Sequence, residues 1–131
     1  MNNRQTLRFI HYLLAFLWMY QGIFPKLLFT SADEIAMWQF TGISTELAKL
    51  CGQISGVIEI IFGLLFLLYP HKILHYLNIL GMVGLLVGVA IILPHTLIAA
   101  FNPIVMNIAM AGLSVIALML QSKKENSEYG R

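Results

Sequence analysis

Four apolar stretches, each close to the length of a bilayer-spanning helix, leave this chain few folds to adopt. They cover about 7–24, 48–69, 73–93 and 103–120, and a span of hydrocarbon takes roughly 20 mainly apolar residues. The whole chain has 131 residues, 59% of them hydrophobic and 11% charged. With a mean hydropathy of +0.80, it is too apolar to be one small water-soluble core. The expectation is a single all-α domain over 1–131, a four-transmembrane-helix bundle held in a lipid bilayer. The first stretch runs past the length of a secretory signal core, ends in WMYQGIFPK and shows no A-x-A-like site, so it is read as a retained helix.

Lys and Arg set the expected orientation, because cytoplasmic loops carry their excess. Arg4, Arg8, Lys72, Lys123, Lys124 and Arg131 fall on the side of the two termini, six of the eight basic residues. Lys26 and Lys49 lie opposite with Asp33, Glu34 and Glu46. Both termini are therefore expected in the cytoplasm and the first loop outside. That loop carries SADEIAMWQFTG, in which Ser31 and Glu34 have capping-box spacing and Gly42 supplies a stop. The pattern predicts a short interfacial helix over about 32–41 that shows Ile35, Met37 or Trp38 to the headgroups, acting as a connector or as a lid. The third loop, PHTLIAAFNP, is expected to dip toward the outer face, and the polar tail 121–131 to be disordered.

The lone Cys51 rules out a thiol oxidoreductase working through C-x-x-C, and no basic patch suggests nucleic acid. Small residues mark expected packing seams, since they let backbones approach in lipid. Gly52, Gly56 and Gly63 form one stripe, Gly84 and Gly88 a second, and Ala111 with Ser114 a third.

Glu59 sits near the middle of the second stretch, on the glycine stripe and so facing the bundle. An ionised carboxylate at bilayer depth costs at least ~2.5 kcal/mol, and such residues mark partners, cavities and function. Protonation or pairing with a cation relieves that cost. Lys26, reaching inward from the outer end of the first helix, is the candidate cation. Gln21, one turn deeper, and Asn107, one turn into the fourth helix, are candidate hydrogen-bond partners. Pro25 ends or kinks the first helix, His95 and Asn102 approach the same mouth, and Pro103 starts the fourth helix. A structural polar clamp and a ligand or proton site both remain open. No Ser, His and Asp set occurs at compatible depths, so hydrolysis is not expected.

His11 and His75 fall at similar cytoplasmic-side depths on different helices, which is the placement of two haem ligands. His71 and His75 have the i, i+4 spacing of metal sites. Neither carboxylate nor cysteine accompanies them, and Tyr12, Tyr69 and Tyr76 lie nearby. Interfacial anchoring is the preferred reading over haem or metal.

Taken together, WMYQGIFPKLLF, the DE of the first loop, GQISGVIEIIFG and FNPIVMNIAM resemble the DoxX-like family of small four-helix membrane proteins, over nearly the whole chain. The resemblance implies a bacterial cytoplasmic (inner) membrane protein. The family takes its name from a small subunit of a thiosulfate:quinone oxidoreductase, although most relatives have no established activity. Some relatives are joined to an NAD-binding domain, but no G-x-G-x-x-G occurs here. The matched polar set would be Lys26, Glu34, Glu59, Asn102 and Asn107. Members often carry Glu at the position of Gln21, so an ionisable role does not transfer there.

Two functions follow. One is a membrane subunit or small-molecule site linked to quinone redox chemistry, in which Lys26 and Glu59 handle a proton or polar head group. The other is a non-catalytic accessory protein that assembles or anchors a membrane or redox partner, or a second copy of itself. A small transporter is a weaker third. With no cofactor motif beyond the possible quinone, the chain alone is not expected to be an enzyme.

Overall fold

The computed structural model describes residues 2–129, with side chains described through residue 123; Gly130 and Arg131 of the expected tail lie outside the described residues. The chain is all-α. Helix α1 (Asn3–Gly22) begins at a reciprocal cap in which the Gln5 amide donates to Asn2 Oδ1 and the Asn2 amide to Gln5 Oε1, both at 2.9 Å. Pro25 has no N–H and crowds the preceding turn, and the chain widens there into a π-helical segment over Ile23–Leu28. Phe29 N–H then reaches back five residues to the Phe24 carbonyl at 3.0 Å.

After a bend of 84° the short helix α2 (Ala32–Gln39) follows. Ser31 caps α2 by accepting from the Glu34 amide at 3.2 Å. The predicted reciprocal half is missing, because the Glu34 side chain turns inward. Gly42, at φ +85°, makes the turn into α3 (Thr45–Leu68), a conformation glycine reaches without strain. Helix α4 (Lys72–Ile92) begins at His71, whose ring accepts from the Ile73 amide at 3.3 Å. A 3-10 turn over Pro94–Ile98 leads to α5 (Pro103–Tyr129). Thus α5 continues beyond residue 120 instead of ending in a disordered tail, as Lys, Glu and Gln are good helix formers.

Three stretches, Thr45–Leu68, Lys72–Ile92 and Pro103–Lys123, are each long and apolar enough to cross a membrane. Asn3–Leu28 and Ala32–Gln39 meet the same test together, as a bent pair. Large apolar side chains cover the outside, among them Leu80 and Val105 at 70% exposure and Ile91 at 68%, a surface suited to lipid.

The helices pack as two antiparallel pairs, α1 with α3 and α4 with α5, which meet mainly where α1 touches α5. Glycine sets the first pair. A Cβ at Gly22 would overlap the Gly56 carbonyl oxygen, and one at Gly63 would lie 2.9 Å from the Ala15 carbonyl oxygen. The expected second seam does not exist. Nothing lies within 4 Å of a Cβ at Gly84, and only Met37 Cε, at 3.9 Å, comes near Gly88. Among the described residues, that face of α4 meets the Met37 side chain of α2 but no closely packed helix backbone.

Candidate functional site

Two ends of the bundle are distinguished by what they carry: the α2 end, and the termini end where α1 starts. Between the middle and the α2 end, three elements bring charge to one point. Lys26, from the π segment, is buried at 6% exposure. Its ammonium donates to Glu59 Oε1 of α3 at 2.7 Å and to Ser55 Oγ at 3.1 Å, and stands 3.4 Å from Glu34 Oε1 of α2. The tight α1/α3 approach lets the lysine stem reach inward. Gly52 leaves room for Glu34, since a Cβ there would be 3.1 Å from the Glu34 Cγ.

Glu34 Oε1 also accepts from the Trp38 indole at 2.9 Å. The Ser55 hydroxyl donates to the Gly52 carbonyl at 2.8 Å, with Glu34 Oε1 at 3.3 Å as its alternative acceptor. One cation thus serves two carboxyl groups in a region with little water, where each such contact is strong and each missing one is costly. One contact is missing. Glu59 Oε2 is buried and has no hydrogen-bond partner among the described residues.

Glu59, Lys26 and Glu34 line a chamber of about 110 Å³, together with Trp18, Gln21 and Asn107. Its remaining wall is rich in methionine, including Met37, Met82, Met106 and Met110, side chains that adapt readily to a guest. Next to it runs a larger open groove of about 910 Å³, mostly apolar, under the turn that precedes α5. Gln21, Glu34, Met37, Val89 and Met106 line both spaces. The arrangement can hold a small polar group against the carboxylate and ammonium while an apolar body lies in the groove.

Several expected residues do other work. Neither Gln21 nor Asn107 bonds Glu59; both are in the chamber wall, and the Asn107 amide donates to the Met82 carbonyl at 3.3 Å. Asn102 lines the groove but caps α5, accepting from Ile104 N–H at 3.1 Å and Val105 N–H at 3.4 Å while donating to the Ala99 carbonyl at 3.0 Å. His95 is exposed on the 3-10 turn and lines neither space, because that turn carries the ring outward. Met37 faces the bundle instead of the headgroups, and Ile35 and Trp38 are half-buried.

His11 and His75 are not interfacial anchors. His11 has 6% exposure and His75 none, and their Nε2 atoms hydrogen-bond at 3.0 Å. Two metal bonds of about 2.0–2.1 Å each do not fit along that line, so the pair is not arranged on opposite sides of an iron. His71 serves as the α4 cap. Outside lie His71 and the tyrosines, Tyr12 at 63% and Tyr69 at 71% exposure.

Sequence reasoning passed over Asn78, which has no exposure and joins both helix pairs. Its Oδ1 accepts from the Trp18 indole at 2.8 Å, and its amide donates to the Met110 carbonyl at 2.9 Å and to Ser114 Oγ at 2.8 Å. Ser114 Oγ in turn meets His75 Nδ1 at 3.1 Å. The i, i+3 spacing of His75 and Asn78 in an apolar helix was the available signal.

The model of the DoxX-like family matches residues 15–115, a segment that contains every polar residue of the chamber. No curated protein and no solved structure matches this chain.

Proposed function

The chain belongs to the DoxX-like family, and from that footing we propose a membrane-embedded binding protein for a small amphiphile with a polar head. Lys26, Glu34 and Glu59 hold the head, and the groove between the helix pairs takes the apolar body. The observation that carries the reading is the partnerless Glu59 Oε2 on a chamber that adjoins a much larger apolar groove. A buried acceptor left without a donor costs roughly 1–3 kcal/mol or more when charged, and a ligand hydroxyl or a water would remove that cost.

A quinol meets these demands, in keeping with the quinone link that the family's name suggests. Its hydroxyl donates to Glu59 Oε2, and the carbonyl of the oxidised form accepts from Lys26. The chamber has the space of about four waters at roughly 30 Å³ each, so it admits the polar edge of such a head while the ring and tail stay in the groove. Electron exchange would belong to a partner subunit.

The test uses the two tryptophans of the chain, since Trp18 lines the chamber and Trp38 bonds Glu34. A short-tailed quinol or quinone titrated into protein in nanodiscs should quench their emission saturably. Quenching that only follows the amount partitioned into lipid would sink the proposal.

In this reading the protein lies in the bacterial cytoplasmic membrane as four spans, with both termini in the cytoplasm and α2 at the outer face. The basic-residue count supports that orientation. In a Cys51→Ser background, a cysteine at exposed Thr41 should react with an impermeant maleimide in intact cells. Reaction only after the membrane is opened would reverse the orientation.

A further inference from the structure

We propose that His11 and His75 form a proton-binding site whose state is passed through Ser114 and Asn78 to Trp18 in the chamber wall. The directions of the bonds can be counted from one end. Indole N–H only donates, so Asn78 must present Oδ1 to Trp18, at 2.8 Å, and its amide hydrogens to the Met110 carbonyl and Ser114 Oγ. Ser114 Oγ accepts that bond and stands 3.1 Å from His75 Nδ1; in the proposed neutral state it gives its own hydrogen to that nitrogen. His75 therefore carries its hydrogen on Nε2 and donates to His11 Nε2 at 3.0 Å. His11 is left protonated on Nδ1. Every bond in the neutral chain points from the chamber toward the termini end.

Two imidazoles have four ring nitrogens between them. In the neutral pair His11 Nδ1 holds one hydrogen, the Nε2 contact holds the other, and one ring nitrogen is bare. An added proton that preserves the Nε2 contact has that single place to go, His75 Nδ1, which faces Ser114. There it turns an acceptor into a donor. Ser114 Oγ must then accept from both His75 and Asn78, and its own hydrogen has to seek another acceptor. The carbonyl four residues back, the helical alternative for serine, belongs to Met110 and already takes the Asn78 amide. The competition there displaces Asn78 and, with it, the bond that fixes Trp18.

Aromatic rings surround the pair. The His11 and His75 rings stack at 5.1 Å, and buried Phe66 of α3 lies 5.3 Å from the His75 ring, within the range of a favourable cation–π contact. His11 retains 6% exposure and His75 none, so exchange with the outside passes through His11. On α1, Arg8 and Tyr12 point out; on α3, so does Tyr69; on α4, His71 and Tyr76 do; on α5, Lys123 does. Lys72 is half-buried one turn before His75 on α4. The proposal concerns the proton alone and stands apart from the identity of any chamber ligand.

Protein carrying 15N-labelled histidine and tryptophan, in nanodiscs without added ligand, is followed by NMR from about pH 8 to about pH 3, a window wider than the roughly pH 5 to 8 in which an ordinary imidazole titrates. At the alkaline end His75 should be protonated on Nε2 and His11 on Nδ1. On acidification His75 Nδ1 should gain its proton, and the Trp18 indole resonance should shift with the same midpoint. In Ser114→Ala the histidines should still titrate while Trp18 no longer follows. The wild-type co-titration does not depend on that variant folding. A pair that stays neutral throughout, a Trp18 resonance that stays fixed while the pair titrates, or coupling that survives Ser114→Ala would each overturn the proposal.

Discussion

The seam between the two helix pairs is closed toward the termini end and open toward the α2 end, although both halves carry buried polar residues. In the closed half, Trp18, Asn78, Ser114, His75 and His11 form an unbroken series of hydrogen bonds between 2.8 and 3.1 Å across α1, α4 and α5. In the open half, Lys26, Glu59 and Glu34 meet around a cavity, and one carboxylate oxygen has no partner among the described residues. A saturated network rigidifies a bundle, and a partly saturated one asks for a guest. The contrast separates the two readings that a polar residue in a membrane helix always allows. On the proposed reading, the closed half is the clamp and the open half is the site.

Lys26→Met should break the open half most severely. It strands two carboxyl groups, and removing one partner of a buried pair costs about 3 to 5 kcal/mol. Thermal melting in a fixed detergent should show the loss, and adding Glu59→Gln should recover much of it because no isolated charge then faces the chamber. Additive losses with no recovery would mean that the 2.7 Å contact contributes little coupling.

Asn78→Leu should weaken the closed half by a smaller amount. Leucine keeps the volume, but the Trp18 indole is left without its acceptor, at about 1–3 kcal/mol. The melting temperature should fall while chamber ligand is still retained. Loss of ligand equal to that in a chamber variant would show that the two halves do not act separately.

Much of this was legible in the sequence, and the limits have a physical origin. Length and hydropathy located the helices, the glycine stripe marked the packing face of α3, and the pairing of Glu59 with Lys26 followed from the cost of a lone charge. What linear spacing did not reveal was which faces meet. His11 and Trp18 recur at seven residues, His75 and Asn78 at three, and Asn107 and Ser114 at seven, so each pair shares a helical face. Read helix by helix, the histidines looked interfacial because tyrosines neighbour them in sequence. Gly84 and Gly88 had the right spacing for a seam but no closely packed helix backbone opposite. Asn102 and His95 were near the mouth in sequence, but one was taken by a helix cap and the other turned outward. Glu34 went the other way, since a capping-box position became a ligand of Lys26.

Glu59→Gln is the mildest change for the fold and the most informative for the site. The amide keeps an acceptor for Lys26 and removes the charge, so the melting temperature should move little. Small molecules retained by wild-type protein and by Glu59→Gln after identical gentle purification are to be quantified by mass spectrometry per mole of protein. If the open half is a binding site, the wild type retains a near-stoichiometric amphiphile and the folded variant loses it. Equal retention by the two proteins, or a wild-type chamber that comes through empty, would contradict the account and make the open half a second clamp.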